Sequence, residues 1–187
     1  MDRSVGGSQG WRQRRLPDAW RWSPERAVDG RSAPRWPAGW PPDGASVFLQ
    51  SWSPYDAERS WGADEGGPEG LVAELRANGA NAVHLAADFA DPAAPAGVIA
   101  AARDSFGHVD ILVANHARSH RQSLAELTAA EIDVSFTVNT RATLLLVQAF
   151  AAQHDDSRPG GRVVLFTSGQ YHGAMSGELP YIAAKGS

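Results

Sequence analysis

The sequence contains no cysteine among its 187 residues, which excludes disulfides, thiolate nucleophiles and zinc sites built on cysteine. It contains a single lysine, Lys185, because sixteen of its seventeen basic residues are arginine. It also lacks a long apolar run, since its most apolar stretch, residues 142–152, is too short to cross a bilayer. The first fifteen residues are polar and lack the apolar core of a signal peptide. We therefore expect a cytoplasmic protein that does not span a membrane.

Charge and aromatic residues are divided unevenly along the chain. Residues 1–44 carry eight arginines against five acidic residues, a local charge of +3. Residues 45–187 carry nine basic against sixteen acidic residues, a local charge of −7. Residues 1–43 also hold five of the seven tryptophans and six of the twelve prolines. Because a nucleic-acid-binding domain presents a basic face, the acidic remainder is not expected to bind nucleic acid.

Residues 1–43 show neither helical nor strand periodicity, and their tryptophans are unusual for a disordered tail. One interpretation is a basic, aromatic arm that binds RNA or single-stranded DNA. Another is the translation of a GC-rich gene in the wrong frame, which tends to yield Arg, Pro, Gly, Ala and Trp. We favour the second interpretation. It predicts a non-native, disordered segment at 1–43 and a folded domain at 44–187.

From residue 44 onwards, short apolar runs alternate with helical patterns. Four strands are predicted, at 45–50, 82–86, 109–114 and 163–166. Three helices are predicted between them, at 71–78, 91–106 and 128–153. This alternation predicts an α/β fold with a doubly wound parallel sheet, whose ligands lie beyond the carboxyl ends of the strands. The polar residues that follow these strand ends are Ser51, Asp88, Asn115 and Ser168.

The last residues of the sequence carry a pattern with chemical content. Tyr181 and Lys185 are four positions apart, so on a helix they share one face. An ammonium group beside a phenol favours the phenolate, and such a tyrosine exchanges protons with a carbonyl or an alcohol near neutral pH. An isolated pair of this kind is more often an ordinary helix start with a solvated lysine. Other residues therefore have to support the catalytic interpretation.

Those residues are present, and the chain from 44 to 185 resembles the classical short-chain dehydrogenases/reductases. Ser168 lies thirteen positions before Tyr181, as in the active-site pattern of that family. Thr-Ser-Gly-Gln at 167–170 and Gly-Glu-Leu at 177–179 resemble the subgroup of 3-oxoacyl-carrier-protein reductases. The residues that carry the resemblance are, in chain order, Asp88, Asn115, Asn139, Ser168, Tyr181 and Lys185.

The resemblance implies an NAD(P)-dependent oxidoreductase that moves a hydride between a nicotinamide and a small carbonyl or alcohol substrate. It implies that Tyr181 is the general acid–base, that Lys185 holds ribose hydroxyls and favours the tyrosinate, and that Ser168 binds the substrate oxygen. Asn139 would position a water in a proton relay. The residues implied in cofactor binding are Asp88, Asn115, Ser51, Tyr181 and Lys185.

Two further expectations concern the cofactor and the partners. The first predicted strand ends in Gln50-Ser51-Trp52, with no acidic side chain to repel a 2′-phosphate, so NADP(H) is expected rather than NAD(H). No metal site is expected, because His116, His120 and His172 lack metal-ligand spacing and are interpreted as surface or loop histidines. Full-length relatives are expected to form homo-oligomers.

Two parts of the family pattern are not found. The glycine-rich turn that holds a pyrophosphate is matched only in part by residues 5–12, where Arg12 replaces the last glycine. The sequence ends two residues after Lys185. We therefore expect an incomplete fold that lacks the first strand and the strands after the catalytic helix start, and an inactive chain as written. The alternatives to an enzyme are an inactive remnant without cofactor binding, or an RNA-binding arm on a dead scaffold.

Overall fold

The structure is a computed structural model that describes residues 45–58, 66–158 and 160–187, so the predicted segment 1–43 lies outside the described residues. The described strands are β1 (Ser46–Ser51), β2 (Asn81–Ala86), β3 (Ile111–Ala114) and β4 (Arg162–Leu165). The α-helices are α1 (Ser53–Ala57), α2 (Gly67–Ala77), α3 (Ala94–Phe106), α4 (Ala129–Phe136), α5 (Ala142–Gln153) and α6 (Leu179–Lys185). A π-helical turn (Thr137–Arg141) joins α4 to α5, and a 3₁₀ helix (Gly169–His172) precedes α6.

The described strands form two separate parallel pairs. β1 pairs with β2, with Ser46 opposite Asn81, and β3 pairs with β4, with Ile111 opposite Arg162. Parallel strands joined by helices confirm the predicted α/β class. Within the described residues β1 and β3 have no hydrogen-bonded neighbour in common, as expected for a sheet without its first strand.

One hydrophobic core serves both strand pairs. Helices α3 and α5 turn stripes of apolar residues inward at the spacing of an amphipathic helix. Phe48 of β1 and Leu85 of β2 pack against this core from the other strand pair. Its buried members are Phe89, Val98, Ile99, Leu112, Ala114, Ala142, Leu146 and Phe150. Because both pairs lie on the same core, their carboxyl ends are positioned by the same helices.

The helices differ from the sequence prediction in several places: α2 begins at Gly67 rather than at 71, and α3 begins at Ala94 rather than at 91. The predicted helix at 128–153 is interrupted by the π-helical turn, a local widening that is common at functional sites. The region expected to be a loop after β1 contains the short helix α1. Elsewhere the boundaries follow local chemistry: Gly107 ends α3 in the left-handed conformation, with φ of 84°. None of the helices in the described ranges is long and apolar enough to cross a membrane.

Candidate active site

The loop after β3, residues 115–122, receives side chains from several elements. Asn139, in the π-helical turn, is 4% exposed and makes two hydrogen bonds to one residue of this loop. Its Nδ2 donates to the carbonyl of Arg118 at 2.8 Å, and its Oδ1 accepts from the Arg118 N–H at 2.8 Å. Asn139 therefore fixes the backbone of the loop, because it satisfies both polar groups of one peptide residue.

Lys185 reaches the same loop from α6. Its Nζ donates to the carbonyl of His116 at 3.3 Å and to the carbonyl of Phe166, just after β4, at 3.4 Å. Burial lowers the pKa of Lys185 below its ordinary value. The helix is held in place by Thr140 Oγ1, which donates to the carbonyl of Ala184 at 2.7 Å. The ammonium thus lies where the carboxyl ends of β3 and β4 meet.

Tyr181 and Ser168 lie on two segments that are joined by a hydrogen bond. Tyr181 is partly exposed on α6, one turn before Lys185. Ser168 is buried, precedes the 3₁₀ helix, and its Oγ donates to Met175 Sδ at 3.8 Å. Gln170 Nε2, in the 3₁₀ helix, donates to the carbonyl of Ile182 at 3.2 Å. This bond ties the segment that carries Ser168 to the helix that carries Tyr181.

A polar cavity lies along the segment between Ser168 and Tyr181. Its volume is about 320 Å³, which is within the range of small-molecule sites. Met175 joins it to Ser168 through the contact described above. The lining residues are Arg121, Ala174, Met175, Ser176, Gly177 and Glu178. Ser168 itself does not line the cavity, which is reached from the serine through Met175.

The residues expected to bind a cofactor lie at the carboxyl ends of three strands. Asp88, after β2, uses Oδ1 to accept from the Ala90 N–H at 2.8 Å. Asn115, after β3, is exposed. Ser51 ends β1, which pairs with β2. Its hydrogen-bond partner is His84 of β2, at 2.8 Å from Oγ to Nε2. No group of three or more potential metal ligands occurs within the described part of the chain.

His116 lies in a loop, as expected, but its ring is turned into the protein. Its Nε2 donates to the carbonyl of Val138 at 2.9 Å, and its ring meets Phe89 edge-on, with centroids 4.6 Å apart. The pKa of His116 is lowered from 6.5 to about 4, chiefly by burial, with a further lowering by the charge of Lys185. The hydrogen bond to Val138 opposes this shift. The ring is therefore neutral at physiological pH.

An ion pair beneath the loop was not predicted. Arg118 Nη2 and Glu131 Oε2 are 2.9 Å apart, with side-chain exposures of 18% and 10%. Glu131 also accepts from Ser135 Oγ at 3.2 Å. Thr128 and Glu131 have the spacing of a capping box, and Thr128 Oγ1 accepts from the Glu131 N–H at 3.2 Å. The carboxylate of Glu131, however, turns inward to Arg118. The capping-box spacing is the only sequence signal at Glu131, and it does not predict this ion pair.

The tyrosine of α1 connects the loop to the neighbourhood of β1. Tyr55 Oη donates to the carbonyl of Ser119 at 2.6 Å and accepts from its N–H at 2.8 Å. The guanidinium of Arg118 lies 5.6 Å from the centroid of the Tyr55 ring. The candidate catalytic residues and the end of β1 are therefore linked through one loop.

Comparison with known proteins points in a single direction. The family model described as short chain dehydrogenase matches residues 61–187. An uncharacterized oxidoreductase of Bacillus subtilis is 31% identical over 128 residues, covering 68% of this chain and 51% of that protein. A subunit of (2S)-[(R)-hydroxy(phenyl)methyl]succinyl-CoA dehydrogenase from Thauera aromatica is 34% identical over 114 residues, covering 61% of this chain and 45% of that one.

Solved structures agree with these sequence matches. A short chain dehydrogenase from Burkholderia cenocepacia in complex with NADP superimposes with a TM-score of 0.62 and 28% identity. The match covers 77% of this chain and 54% of that structure. The chain spans about half the length of the curated relatives it matches.

Proposed function

The chain belongs to the short-chain dehydrogenase family, and from that premise we propose that it transfers a hydride between a nicotinamide cofactor and a small carbonyl or alcohol substrate. The observation that carries the proposal is the position of Lys185. The only lysine of the chain is partly desolvated, has a lowered pKa, and lies between carbonyls at the ends of β3 and β4. A compact ammonium suits this position, whereas a planar guanidinium does not.

In this proposal four side chains handle the substrate and its proton. Tyr181 Oη gives a proton to the substrate oxygen during reduction and takes it back during oxidation. Ser168 Oγ donates to the same oxygen and so holds the reacting carbon in place. Lys185, one helical turn from Tyr181 on α6, donates to ribose hydroxyls. Asn139 holds the loop backbone, and thereby positions the carbonyl that Lys185 uses and any water of a proton relay.

The proposed cofactor is NADP(H). When bound, it supplies or accepts the hydride. The side chains at the strand ends fit the sugar and adenine parts of such a group, because a hydroxyl, a carboxylate and an exposed amide stand at Ser51, Asp88 and Asn115. The end of β1 carries Gln50 and Ser51 and no acidic residue, so the strand end itself does not repel a 2′-phosphate. The solved neighbour in complex with NADP supports the same choice.

The substrate is proposed as a small carbonyl compound or alcohol that enters the cavity beside Ser168. The relatives bear names of different substrates, including a succinyl-CoA derivative, so the narrower 3-oxoacyl-carrier-protein reductase subgroup stays a prediction. The cytoplasmic location, the homo-oligomeric assembly of full-length relatives and the lack of nucleic-acid binding also stay predictions.

The experiment is an assay of the purified chain with NADPH and a panel of small ketones, together with Tyr181→Phe. Loss of the proton donor should lower the rate by about 10²-fold or more while leaving NADPH binding intact. Ser105→Ala is the control, because it removes an exposed hydroxyl that bonds only within α3, to the carbonyl of Ala101, among the hydrogen bonds of the described residues. It should retain most of the activity.

The results of this assay distinguish an active enzyme with Tyr181 as proton donor from an inactive remnant. If Tyr181→Phe keeps more than about a tenth of the rate, the proton-donor role is wrong. A chain that neither turns over ketones nor binds NADPH in a fluorescence titration would instead support the inactive remnant.

A further inference from the structure

Two side chains of opposite charge line the polar cavity of about 320 Å³. One is the guanidinium of Arg121, in the loop after β3, and the other is the carboxylate of Glu178, immediately before α6. Arg121 is exposed and Glu178 is half-buried. Among the residues that the structure describes, the two form no ion pair with each other, and the guanidinium has no hydrogen-bond partner. Both charges are therefore available to a ligand in the cavity.

The backbone holds these two charges at neighbouring positions. Gln122, the residue after Arg121, forms an isolated parallel β-bridge with Glu178. The N–H of Leu179 donates to the carbonyl of Gln122 at 3.2 Å. This bridge joins the loop after β3 to the segment before α6. The separation of the two charges is therefore limited by paired backbone and does not depend on a contact between the side chains.

The carboxylate of Glu178 is itself held in place by its neighbours. Its Oε2 accepts from Ser119 Oγ at 3.1 Å. Ser119 is fixed in turn, because Tyr55 Oη bonds to both its N–H and its carbonyl. None of the hydrogen bonds in the described ranges occupies Oε1 of Glu178. A carboxylate that is oriented by supporting contacts and keeps one oxygen free is the arrangement expected of a binding residue.

A ligand that complements this cavity carries both charges. A carboxylate pairs with a guanidinium through two parallel hydrogen bonds, and an ammonium donates to a carboxylate. A ligand with only negative charge is repelled by Glu178, and one with only positive charge is repelled by Arg121. Glu178 directly precedes α6, whose third residue is Tyr181, so the cavity adjoins the helix of the proposed proton donor.

We propose that the substrate is a zwitterionic alcohol or ketone, that is, a hydroxy amino acid or the corresponding oxo amino acid. Arg121 binds its carboxylate and Glu178 binds its ammonium. Oxidation transfers a hydride from the carbon that bears the hydroxyl to NADP⁺, and the hydroxyl proton to Tyr181 Oη, so no further reactant is needed. The inference rests on the proposed function, because it names the substrate class of the same site.

The test uses L-threonine and three analogues that lack part of its charge. 3-Hydroxybutyrate lacks the ammonium, 1-aminopropan-2-ol lacks the carboxylate, and propan-2-ol lacks both. Ligand-observed NMR measures the Kd of each for the purified chain, with and without NADPH, and therefore does not depend on turnover. L-Threonine should bind about tenfold more tightly than either analogue with a single charge, because each charged hydrogen bond contributes about a factor of ten or more.

Two variants separate the roles of the two charges. Glu178→Gln keeps the shape of the side chain and loses its charge, so L-threonine should bind about tenfold more weakly and 3-hydroxybutyrate more tightly. Arg121→Gln should weaken L-threonine to a similar extent and should strengthen the binding of 1-aminopropan-2-ol. A merely structural role would not move two ligands in opposite directions. Arg103→Gln, which removes an exposed arginine of α3, is the control and should leave every Kd unchanged.

The outcomes distinguish this inference from the proposed function. If L-threonine binds no better than the analogues with a single charge, or if both variants weaken all ligands alike, this inference is wrong. Ketone reduction that depends on Tyr181 would then still support the proposed function. If L-threonine binds and responds to both variants as expected, but no alcohol or ketone is turned over, the zwitterion site is supported and the proposed function is wrong.

Discussion

The two strand pairs are stabilised in different ways. Around β3 and β4, side chains bond to the backbone of distant segments, as Asn139 does with Arg118 and Lys185 with His116. Around β1 and β2, most bonds run along the strand ladder, with few side-chain bonds such as that between Ser51 and His84. The first region buries polar groups that only the protein can satisfy. In the second, water can replace a lost partner, so damage there should cost less.

The largest effect is expected from Asn139→Leu. The substitution leaves the N–H and the carbonyl of Arg118 without their partner in a partly buried place, at about 2 kcal/mol for each group, or about 4 kcal/mol in all. Urea unfolding followed by circular dichroism measures this loss. Ser105→Ala is the control, since its exposed hydroxyl bonds within α3 to the carbonyl of Ala101 and should cost much less. Equal midpoints for both variants would contradict the comparison between the regions.

The next effect is a pH dependence that belongs to His116. Its pKa is about 4 in the folded protein and 6.5 ordinarily, so the unfolded chain binds a proton more readily. The resulting stability is fully present above about pH 6.5 and is lost as pH falls towards about 4, amounting to about 3 kcal/mol. His116→Asn should lack this part of the acid destabilisation, whereas Ser105→Ala, which removes an exposed hydroxyl of α3, should keep it. Urea midpoints at several pH values check the prediction, and parallel curves for all three proteins would refute it.

A smaller loss is expected from Glu131→Gln. The variant weakens the charged hydrogen bond to Arg118 Nη2, and we expect a loss of about 2 kcal/mol in the free energy of unfolding. Glu126→Gln is the matched control, because that carboxylate bonds to Ser123 on an exposed loop. Its urea midpoint should stay close to that of the wild type. Similar shifts in both variants would show that burial of the ion pair does not matter.

The smallest effect is expected at the other strand pair. Ser51→Ala removes one partly buried hydrogen bond and should lower the free energy of unfolding by about 1 kcal/mol. Thermal or urea unfolding measures it beside Asn139→Leu. A loss as large as that of Asn139→Leu would show that the two regions are equally dependent on side-chain bonds, and the contrast between them would be wrong.

The strands, most helices and the family of this chain could be predicted from local pattern. Short apolar runs, the cap at Thr128 and the glycine at 107 act on neighbouring residues, so they are visible in the sequence. The π-helical turn could not be predicted, because nothing in its composition separates it from an α-helix. Its position depends on where Asn139 meets the loop after β3.

The sequence by itself determined the residue types of the candidate site and the spacing of Ser168, Tyr181 and Lys185, because both are properties of the chain before it folds. Only the tertiary structure decided which partners they meet. The inward turn of His116, the pair of Arg118 with Glu131 and the bond between Ser51 and His84 all join residues far apart in the chain. Such contacts depend on how the helices and strand pairs pack on one core. No local sequence pattern encodes contacts between residues so far apart in the chain.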